Sequence, residues 1–544
     1  MRPRLLLAAA VLGVLAACSR SDTTTTTSGP HPWTKPGVLR MAGLSDPDTL
    51  SPLVGNFQID VDLSMFWAGY LFKNDDKTNV VPELATEVPT YENKGISKDG
   101  LTITYHLRSG VKWHDGVPFT AKDVVFSWHA VMNPQNNVGT RQGYDLVTRI
   151  DTPDPYTAIV HLKKPFAPFV ATFFAMSGTT IPIYPEHLLA KEPNLNRIPY
   201  NAKPIGTGPF IVSEWHRGQV LRMTANPNYW RGAPKLKEVQ YRVIPDENTV
   251  VTAAKTHEVD FVFNLSTANY PQVKDIPGSR AVLTPFTRFS HLAFNQQRGP
   301  LTDVRVRRAL ALALDRKRLM ELVTYGTNVL GEGDQPAFNW AHDENLKPIP
   351  FDPAAARQLL DEAGWKAGAD GIRSRSGVRL HLDIAATAGN RVSSQNAVQL
   401  QAAWKGIGID VGVRNYQSAL MFSSYGAGGI LQGGKFDIGF LSYINGTDPD
   451  DSYLLLCSQF PPNGQNIYHY CNKDVDAQEQ IALTHYDRPT RKAAYAKIQQ
   501  HLVSDVPFLT LWFNQQLDVV NDDLRNYKPA HAVTTLWNTE QLDI

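Results

Sequence analysis

The stretch Tyr495–Phe513, YAKIQQHLVSDVPFLTLWF, carries the pattern that decides the fold class. In its first half, Tyr495, Ile498 and Leu502 recur at the spacing of one helix face, and the predicted helix ends before the proline. In its second half, Phe508–Phe513 is an apolar run, which is typical of a buried strand. This order predicts a fold in which helices and strands alternate along the chain.

The same alternation continues upstream. Val38–Leu44 is predicted as a first strand, and Thr120 with Asp123 forms a capping box at the start of a helix. Two further helices are predicted to begin after the N-cap residues Asp303 and Asp352. No repeat of fixed period is visible. The sequence therefore predicts the α/β or the α+β class.

Length and charge exclude several classes of protein. The chain has 544 residues, with 53 Lys+Arg and 52 Asp+Glu, which leaves a formal net charge of +1. This length suggests about three or four domains of roughly 150 residues. Nucleic-acid binders show a basic excess or a basic stripe, so the balance of charge argues against that function. With 42% hydrophobic and 19% charged residues, the chain is predicted to be globular.

The first eighteen residues predict an export signal. Arg2 and Arg4 precede the apolar run Leu5–Ala17, which is too short for a membrane span of about 20 residues and fits a secretory signal. The run ends in LAAC, whose cysteine is Cys18, and this ending resembles the bacterial lipobox, in which the cysteine is lipidated. We therefore expect residues 1–18 to be a lipoprotein signal peptide. A plain signal peptide that contains a cysteine is the alternative.

Residues 19–37 are predicted to be a flexible linker, because five consecutive threonines with Ser, Gly and Pro cannot pack a core. No later apolar run approaches a membrane span, so we expect a soluble protein that its lipid holds at a membrane surface.

The two cysteines after Cys18 are expected to form a disulfide. Cys457 and Cys471 form an even pair in a chain that leaves the cytoplasm, and an oxidising compartment favours their pairing. Two reduced core thiols are the alternative.

The motifs of common enzymes are missing. The chain has neither a Gly-x-Ser-x-Gly elbow nor a His-Glu-x-x-His zinc site. The nearest phosphate-loop pattern, Gly429–Phe436, lacks the final Ser or Thr that would bind Mg²⁺. The fifteen histidines show no spacing typical of metal ligands. We therefore expect no catalytic residue, no metal site and no cofactor.

Six blocks of sequence lie in one consistent order along the chain. They are Pro82–Ala85 with Gly100–Asp123, Gly206–Phe210, Asn226–Trp230, Phe294-Asn295 with Pro300–Arg316, Phe351–Trp365, and Asp487–Pro507. From about residue 38 to the end, these blocks resemble family 5 of the bacterial extracellular solute-binding proteins. This is the oligopeptide/dipeptide-binding family, which serves peptide, nickel and related ABC importers.

The resemblance implies an α/β, two-lobed periplasmic-binding-protein fold (type II-like) with an extra third domain and a hinged cleft. Mapped onto this chain, domain I takes 38–80, 205–285 and 512–544, domain II takes 81–204, and domain III takes 286–511. A ligand that bridges two lobes stabilises the closed state without any chemistry. We expect the ligand between domains I and III.

The resemblance also implies ligand-binding residues. In the family's peptide binders, a Gly-Trp segment followed closely by Asp pairs with the amino group of the peptide. In the matching segment Phe440–Asp450, Tyr443 stands in place of the Trp, and Asn445 or Gly446 stands in place of the Asp. Because an amide cannot form an ion pair with ammonium, either Asp448 takes this role or the ligand is not held by a free N-terminus. A solvated turn and helix cap around Asp448 is the alternative.

A carboxylate-binding arginine precedes the corresponding helix in the family's dipeptide binders. Arg391 is the nearest candidate here, and a guanidinium suits a carboxylate because it can donate two parallel hydrogen bonds. A surface arginine is the alternative. Trp404 is expected in the helix core.

These features predict a lipid-anchored substrate-binding protein of an ABC importer, which captures peptides and delivers them to the membrane permease. The expected partners are a peptide ligand, the permease subunits and, through the lipid, a membrane; the protein is expected to be a monomer in the cell envelope, on the periplasmic or extracytoplasmic face. A receptor for a nickel chelate, an opine or an oligosaccharide is the alternative. A secreted enzyme or a peptide-holding chaperone is a third possibility.

Overall fold

A computed structural model describes residues 30–55, 57–176 and 180–544. The predicted signal peptide, the lipidation site Cys18 and most of the predicted linker lie outside the described residues.

The end of the predicted linker packs against the body of the protein. The Trp33 ring stacks between His31 and His257, with centroid distances of 4.5 and 3.9 Å. The Thr34 hydroxyl donates to Asp523 at 2.6 Å. The prediction of a flexible linker through residue 37 is therefore wrong for these last residues, because one large aromatic side chain anchors them.

The described residues form eighteen strands and fourteen α-helices. The strands are β1 (Val38–Gly43), β2 (Phe72–Asn74), β3 (Val80–Pro82), β4 (Thr102–His106), β5 (Val147–Asp154), β6 (Thr157–Leu162), β7 (Phe210–His216), β8 (Val220–Ala225), β9 (Glu238–Val243), β10 (Phe261–Leu265), β11 (Ser279–Phe294), β12 (Lys366–Ala367), β13 (Arg373–Arg375), β14 (Val378–Arg379), β15 (His381–Thr387), β16 (Asp410–Tyr416), β17 (Ile438–Ile444) and β18 (Phe508–Asn521). The helices are α1 (Gln58–Trp67), α2 (Ala121–Met132), α3 (Phe169–Thr172), α4 (Glu186–Leu189), α5 (Glu247–Lys255), α6 (Tyr270–Val273), α7 (Val304–Leu312), α8 (Arg316–Thr324), α9 (Pro353–Glu362), α10 (Arg391–Lys405), α11 (Ser418–Met421), α12 (Ser452–Leu455), α13 (Lys473–Thr484) and α14 (Arg488–Asp505).

The local signals in the sequence explain where several helices begin. Asp123 accepts a hydrogen bond from the Thr120 backbone at 2.8 Å, as the capping box predicts. Asp303 caps α7, and Asp352 caps α9. The predicted helix and buried strand that opened the sequence argument are confirmed as α14 and β18. Across the described ranges, no helix combines the length and apolar character that a membrane crossing needs.

One ten-stranded sheet runs through the molecule, in the order β16-β15-β17-β11-β18-β10-β1-β9-β8-β7. The strands at one end of this sheet come from residues 381–444, and those at the other end come from residues 38–265. The antiparallel pair of β11 and β18 lies between these two groups and joins them. We call β11 and β18 the hinge strands. β11 pairs with β17 on one side, and the C-terminal half of β18 pairs with β10 on the other.

The buried apolar residues form separate cores. Each end of the large sheet has a core on both faces, and a further core surrounds the small sheet β4-β6-β5 with aromatic residues such as Tyr105 and Phe173. Trp404 is fully buried and its indole N–H donates to the Leu310 carbonyl at 3.0 Å, so its predicted core position is confirmed. Separate cores joined by two strands produce lobes that can move relative to each other.

Candidate ligand-binding cleft

The end of β17 and the residues after it form one wall of a cavity of about 290 Å³. Tyr443 and Asp448 line this wall, and the opposite wall comes from the segment 140–172. A second cavity of about 500 Å³ lies on the other side of Asp448, against the segments 74–96 and 486–491. The smaller cavity lies between the regions predicted as domains II and III, whereas the larger one is also lined by residues 74–80 of the region predicted as domain I.

Tyr443 presents an unpartnered hydroxyl to the smaller cavity. β11 places it opposite Phe289, and its ring stacks on His291 at a centroid distance of 5.5 Å. Burial raises the pKa of Tyr443, so the phenol keeps its proton. Neither this hydroxyl nor that of Tyr453, which also lines the cavity, bonds to a described residue. Both can donate to a ligand.

Asp448 is held in a buried ion pair. Its two carboxylate oxygens accept hydrogen bonds from the Arg491 guanidinium at 2.7 and 2.6 Å. The guanidinium also lies over the Trp340 ring, 5.2 Å from its centroid. The alternative of a solvated turn around Asp448 is therefore wrong. The charge of Asp448 is already compensated before any ligand binds.

The sequence argument missed Arg491, although its spacing carries a signal. Arg491 lies four residues before Tyr495, on the apolar face that also carries Ile498 and Leu502. A charged residue on the buried face of a helix indicates a buried partner. A basic residue on this face therefore predicts a buried acidic partner, but the pattern does not identify which acid it is.

Asp450 is a second acid in the same wall, and it has no cationic partner among the described residues. It accepts hydrogen bonds from the Ser452 backbone at 3.1 Å and from the Gln142 side chain at 3.4 Å. Burial raises its pKa, and the nearby charge of Asp448 adds to this effect. Asp450 is therefore the lining carboxylate that can gain most from a ligand cation.

Behind this wall, Asp334, Asp451 and Glu479 form a carboxyl cluster. All three are almost fully buried, and Asp451 lies within hydrogen-bonding reach of the other two. Burial raises the pKa of each, to about 8 for Glu479. No ion pair to a described basic residue compensates them. With no cation to compensate them, burial favours the protonated form of these carboxyls, in which one can donate a hydrogen bond to another.

Asn445 does not face the cavity. Its side chain is 1% exposed and donates to the Asp334 carbonyl at 2.9 Å, while its backbone N–H donates to the Thr287 carbonyl at 3.0 Å. The next two backbone N–H groups, at Gly446 and Thr447, find no acceptor within the described residues. Asn445 thus ends the strand pairing and leaves two free donors beside the cavities.

Arg391 lies apart from the other predicted ligand residues. It begins α10, is exposed, and donates to Gln395 at 3.2 Å. Its guanidinium lies 5.9 Å from the centroid of the exposed Tyr325 ring. The structure brings Tyr443 and Asp448 together, buries Asn445 behind them, and places Arg391 outside both cavities.

Cys457 and Cys471 are joined in a disulfide, which closes the loop that follows the acidic wall. The backbone N–H of Cys457 donates to Asp476 at 2.9 Å, so α13 is tied to the same loop. Within the described ranges, no group of three or more His, Cys, Asp or Glu side chains has an arrangement that could hold a metal ion.

Two α/β halves joined by hinge strands, with polar cavities between lobes, define a binding protein of the periplasmic type. Residues 79–464 match the bacterial extracellular solute-binding proteins, family 5 (middle region). The chain is 32% identical over 483 residues to protein XP55 of Streptomyces lividans, covering 88% of this chain and 84% of that protein. It is 27% identical over 536 residues to the oligopeptide-binding protein AppA of Bacillus subtilis, covering 97% and 95%.

Two solved structures are similar to this chain over most of its length. NikZ from Campylobacter jejuni, in complex with Ni(L-His), aligns with a TM-score of 0.77 at 26% identity over 94% of this chain and 100% of that chain. AppA from Bacillus subtilis, in complex with a nonapeptide, aligns with a TM-score of 0.75 at 25% identity over 93% and 99%. The chain therefore belongs to family 5 of the bacterial extracellular solute-binding proteins, and both the predicted family and the predicted fold class are confirmed.

Proposed function

We propose that this protein captures peptides in a cleft between its lobes and delivers them to the permease of an ABC importer, without catalysis. The family membership supports a solute-binding role. The relative named as oligopeptide-binding and its structure with a nonapeptide support peptides as the solute. The proposal includes the division into domains I to III, the lipid anchor at Cys18, the monomeric state and a place in the cell envelope.

The observation that carries the proposal is the unused bonding capacity beside the cavities. The backbone N–H groups of Gly446 and Thr447 and the hydroxyls of Tyr443 and Tyr453 lack partners among the described residues. An extended peptide offers carbonyl groups to such donors whatever its side chains are, which suits a receptor for varied peptides.

The predicted ligand residues take different roles in this proposal. Tyr443 contacts the ligand directly, whereas Asn445 holds the wall in place from behind. Asp448 and Asp450 make the wall acidic, and Asp450, which lacks a cation, pairs with the ammonium group of the peptide. Arg391, at the exposed start of α10, lies outside both cavities, so its role as a carboxylate partner stays a prediction from the family resemblance.

A nickel chelate is the second candidate solute. NikZ, whose structure contains Ni(L-His), aligns with this chain as well as AppA does. Polar walls with unpartnered hydroxyls can also bind a hydrophilic chelate.

Isothermal titration calorimetry with a tripeptide library and with nickel–histidine tests the proposal. We expect free-amine tripeptides to bind, and Asp450→Asn to weaken them by roughly tenfold or more, because a charge-assisted bond is worth about 1.5–3 kcal/mol. N-acetylated forms have no ammonium and should bind wild type and variant alike. The matched control is Asp275→Asn, at a solvent-exposed acid far from the cavities in sequence. Binding of nickel–histidine and of no peptide would favour the second candidate.

A further inference from the structure

Side chains from three adjacent strands share one sheet face at the hinge. Ser442 is the exposed residue of β17. On β11, Ser290 lies opposite Ser442, and Arg288 lies opposite Ile444. Directly opposed residues of an antiparallel pair project to the same face, with Cβ atoms about 4.5–5.5 Å apart. Ser290 also donates to Asn514 Oδ1 of β18 at 2.8 Å, which puts the Asn514 side chain on that face too.

Two of these side chains carry hydrogen-bond donors with no acceptor. The Arg288 guanidinium packs 5.2 Å from the centroid of the Phe286 ring, but it makes neither a hydrogen bond nor an ion pair with a described residue. The Asn514 amide nitrogen has no acceptor there either. Ser290 uses its single proton on Asn514, so Ser442 must donate its own proton to Ser290, 2.8 Å away.

The buried arginines among the described residues do have partners. Arg307 donates to the backbone carbonyls of Leu301 and Asp505, and Arg491 forms the ion pair with Asp448. Arg288 is half-buried at the junction of the lobes, where burial already lowers its pKa. A buried guanidinium that lacks a partner is unfavourable, so an anion at this position would relieve that cost.

One acid attracts Arg288 electrostatically without forming an ion pair with it. Asp62 of α1 attracts Arg288, but it is not within ion-pair distance and instead accepts a hydrogen bond from Gln58 at 3.0 Å. Burial raises the pKa of Asp62 to about 7, so it is only partly ionised near neutral pH. The positive charge of Arg288 is left largely available.

We propose that Arg288 and Asn514 bind a carboxylate of the ligand at the hinge. This proposal rests on the proposed function. Arg288 and Asn514 line neither cavity, and Arg288 projects to the sheet face opposite to Tyr443. A ligand in the smaller cavity would therefore reach them past Ile444, which lines that cavity at the end of β17. A guanidinium can donate hydrogen bonds to both carboxylate oxygens, and the Asn514 amide adds a third donor. The carboxylate is either the C-terminus of a peptide or that of an amino acid in a metal chelate.

This position differs from the one that the sequence resemblance implies. Arg391 is exposed and already bonded to Gln395, so a carboxylate there would remain in contact with water. Arg288 lies on a hinge strand, where both lobes meet.

Calorimetry on the wild type and three variants tests the proposal. The probes are the best-binding tripeptide of the library as a free acid, the same tripeptide as a C-terminal amide, and nickel–histidine. We expect Arg288→Met to weaken the free acid by about tenfold or more, Arg288→Lys to restore part of that loss, and Arg391→Met to change it less than threefold. The amide should bind the wild type about as weakly as the acid binds Arg288→Met, and it should not respond further to that variant.

The outcomes separate this proposal from the proposed function. Equal losses for acid and amide in Arg288→Met, with an unchanged melting temperature, would overturn the carboxylate site while peptide binding stands. If only nickel–histidine binds and Arg288→Met weakens it, the site stands and peptide binding does not. If neither class binds the wild type, both proposals are overturned.

Discussion

Asp448, in the cavity wall, and Asp451, behind it, are three residues apart in the chain, yet their buried carboxyls have opposite surroundings. Asp448 meets the guanidinium of Arg491 on α14, whereas Asp451 meets the carboxyls of Asp334 and of Glu479 on α13. The first site is a compensated ion pair, and the second is a carboxyl cluster without a cation. The comparison teaches that the partner of each acid, a cation or another carboxyl, is set by the helix behind it and not by the local sequence.

The two sites should respond differently to mutation and to pH. Removal of a partner from the ion pair leaves a buried charge, which is strongly unfavourable. Removal of a carboxyl from the cluster relieves repulsion among groups that no cation compensates. The following predictions test this difference.

The largest expected effect is that of Arg491→Met. The variant leaves Asp448 buried without a cation and also removes the bond from Arg491 Nε to the Ala482 carbonyl at 2.8 Å. We expect the free energy of unfolding to fall by about 3–5 kcal/mol, measured by urea denaturation at pH 7. The matched control is Arg488→Met, at an exposed arginine one turn earlier, which should cost less than about 0.5 kcal/mol. Equal losses of unfolding free energy in the two variants would show that the ion pair does not cause the destabilisation.

A somewhat smaller effect is expected from the disulfide that follows both sites. Cys457 is bonded to α13 through Asp476, so the disulfide fixes the segment that carries Asp448 and Asp451. Replacement of both cysteines by Ser should lower stability by about 3 kcal/mol in the chain-entropy description of a loop of this size. Thiol labelling of the denatured, unreduced mature protein should detect neither cysteine. Two labelled thiols would contradict the pairing.

The prediction most specific to the carboxyl cluster concerns how Glu479→Gln changes the dependence of stability on pH. The folded protein raises the pKa of Glu479 to about 8, while the unfolded chain has the ordinary value of about 4.3. The folded state therefore holds the proton more tightly. Its contribution to stability is fully present below about pH 4.3 and is lost as pH rises toward 8, by at most about 1.4 kcal/mol per pH unit.

Glu479→Gln should accordingly flatten the dependence of unfolding free energy on pH between about 5 and 8. Urea denaturation at several pH values measures this slope. Glu321→Gln, at an exposed glutamate, should leave the slope unchanged. If Glu479→Gln keeps the slope of the wild type, Glu479 does not titrate with a raised pKa in the folded protein.

The sequence predicted the parts that depend on neighbouring residues. The capping box at Thr120, the helix of Tyr495 and the following buried strand are local patterns, and each has the predicted structure. Contacts between residues that are far apart in the sequence could not be predicted from such local patterns. Nothing near Asp448 in the sequence indicates Arg491, 43 residues away, and nothing near Trp33 indicates its stacking on His257.

The candidate site also combines features that the local sequence predicts with features that depend on distant residues. The alignment of Tyr443 with a family motif identified a residue that does line a cavity. The same alignment could not show that Asn445 is buried against the loop of Asp334, nor that Arg288 on a hinge strand lacks a partner. Both facts depend on strand register and on the loops that cross it.

The central claim is that the cleft between the lobes binds peptides. The most direct measurement is mass spectrometry of the small molecules that leave the purified mature protein on denaturation. The account predicts masses of short peptides, in an amount near one per protein, and predicts that these peptides are lost from a double variant of Arg288→Met and Asp450→Asn. Release of nickel with histidine, or of a sugar, with no peptide would contradict it.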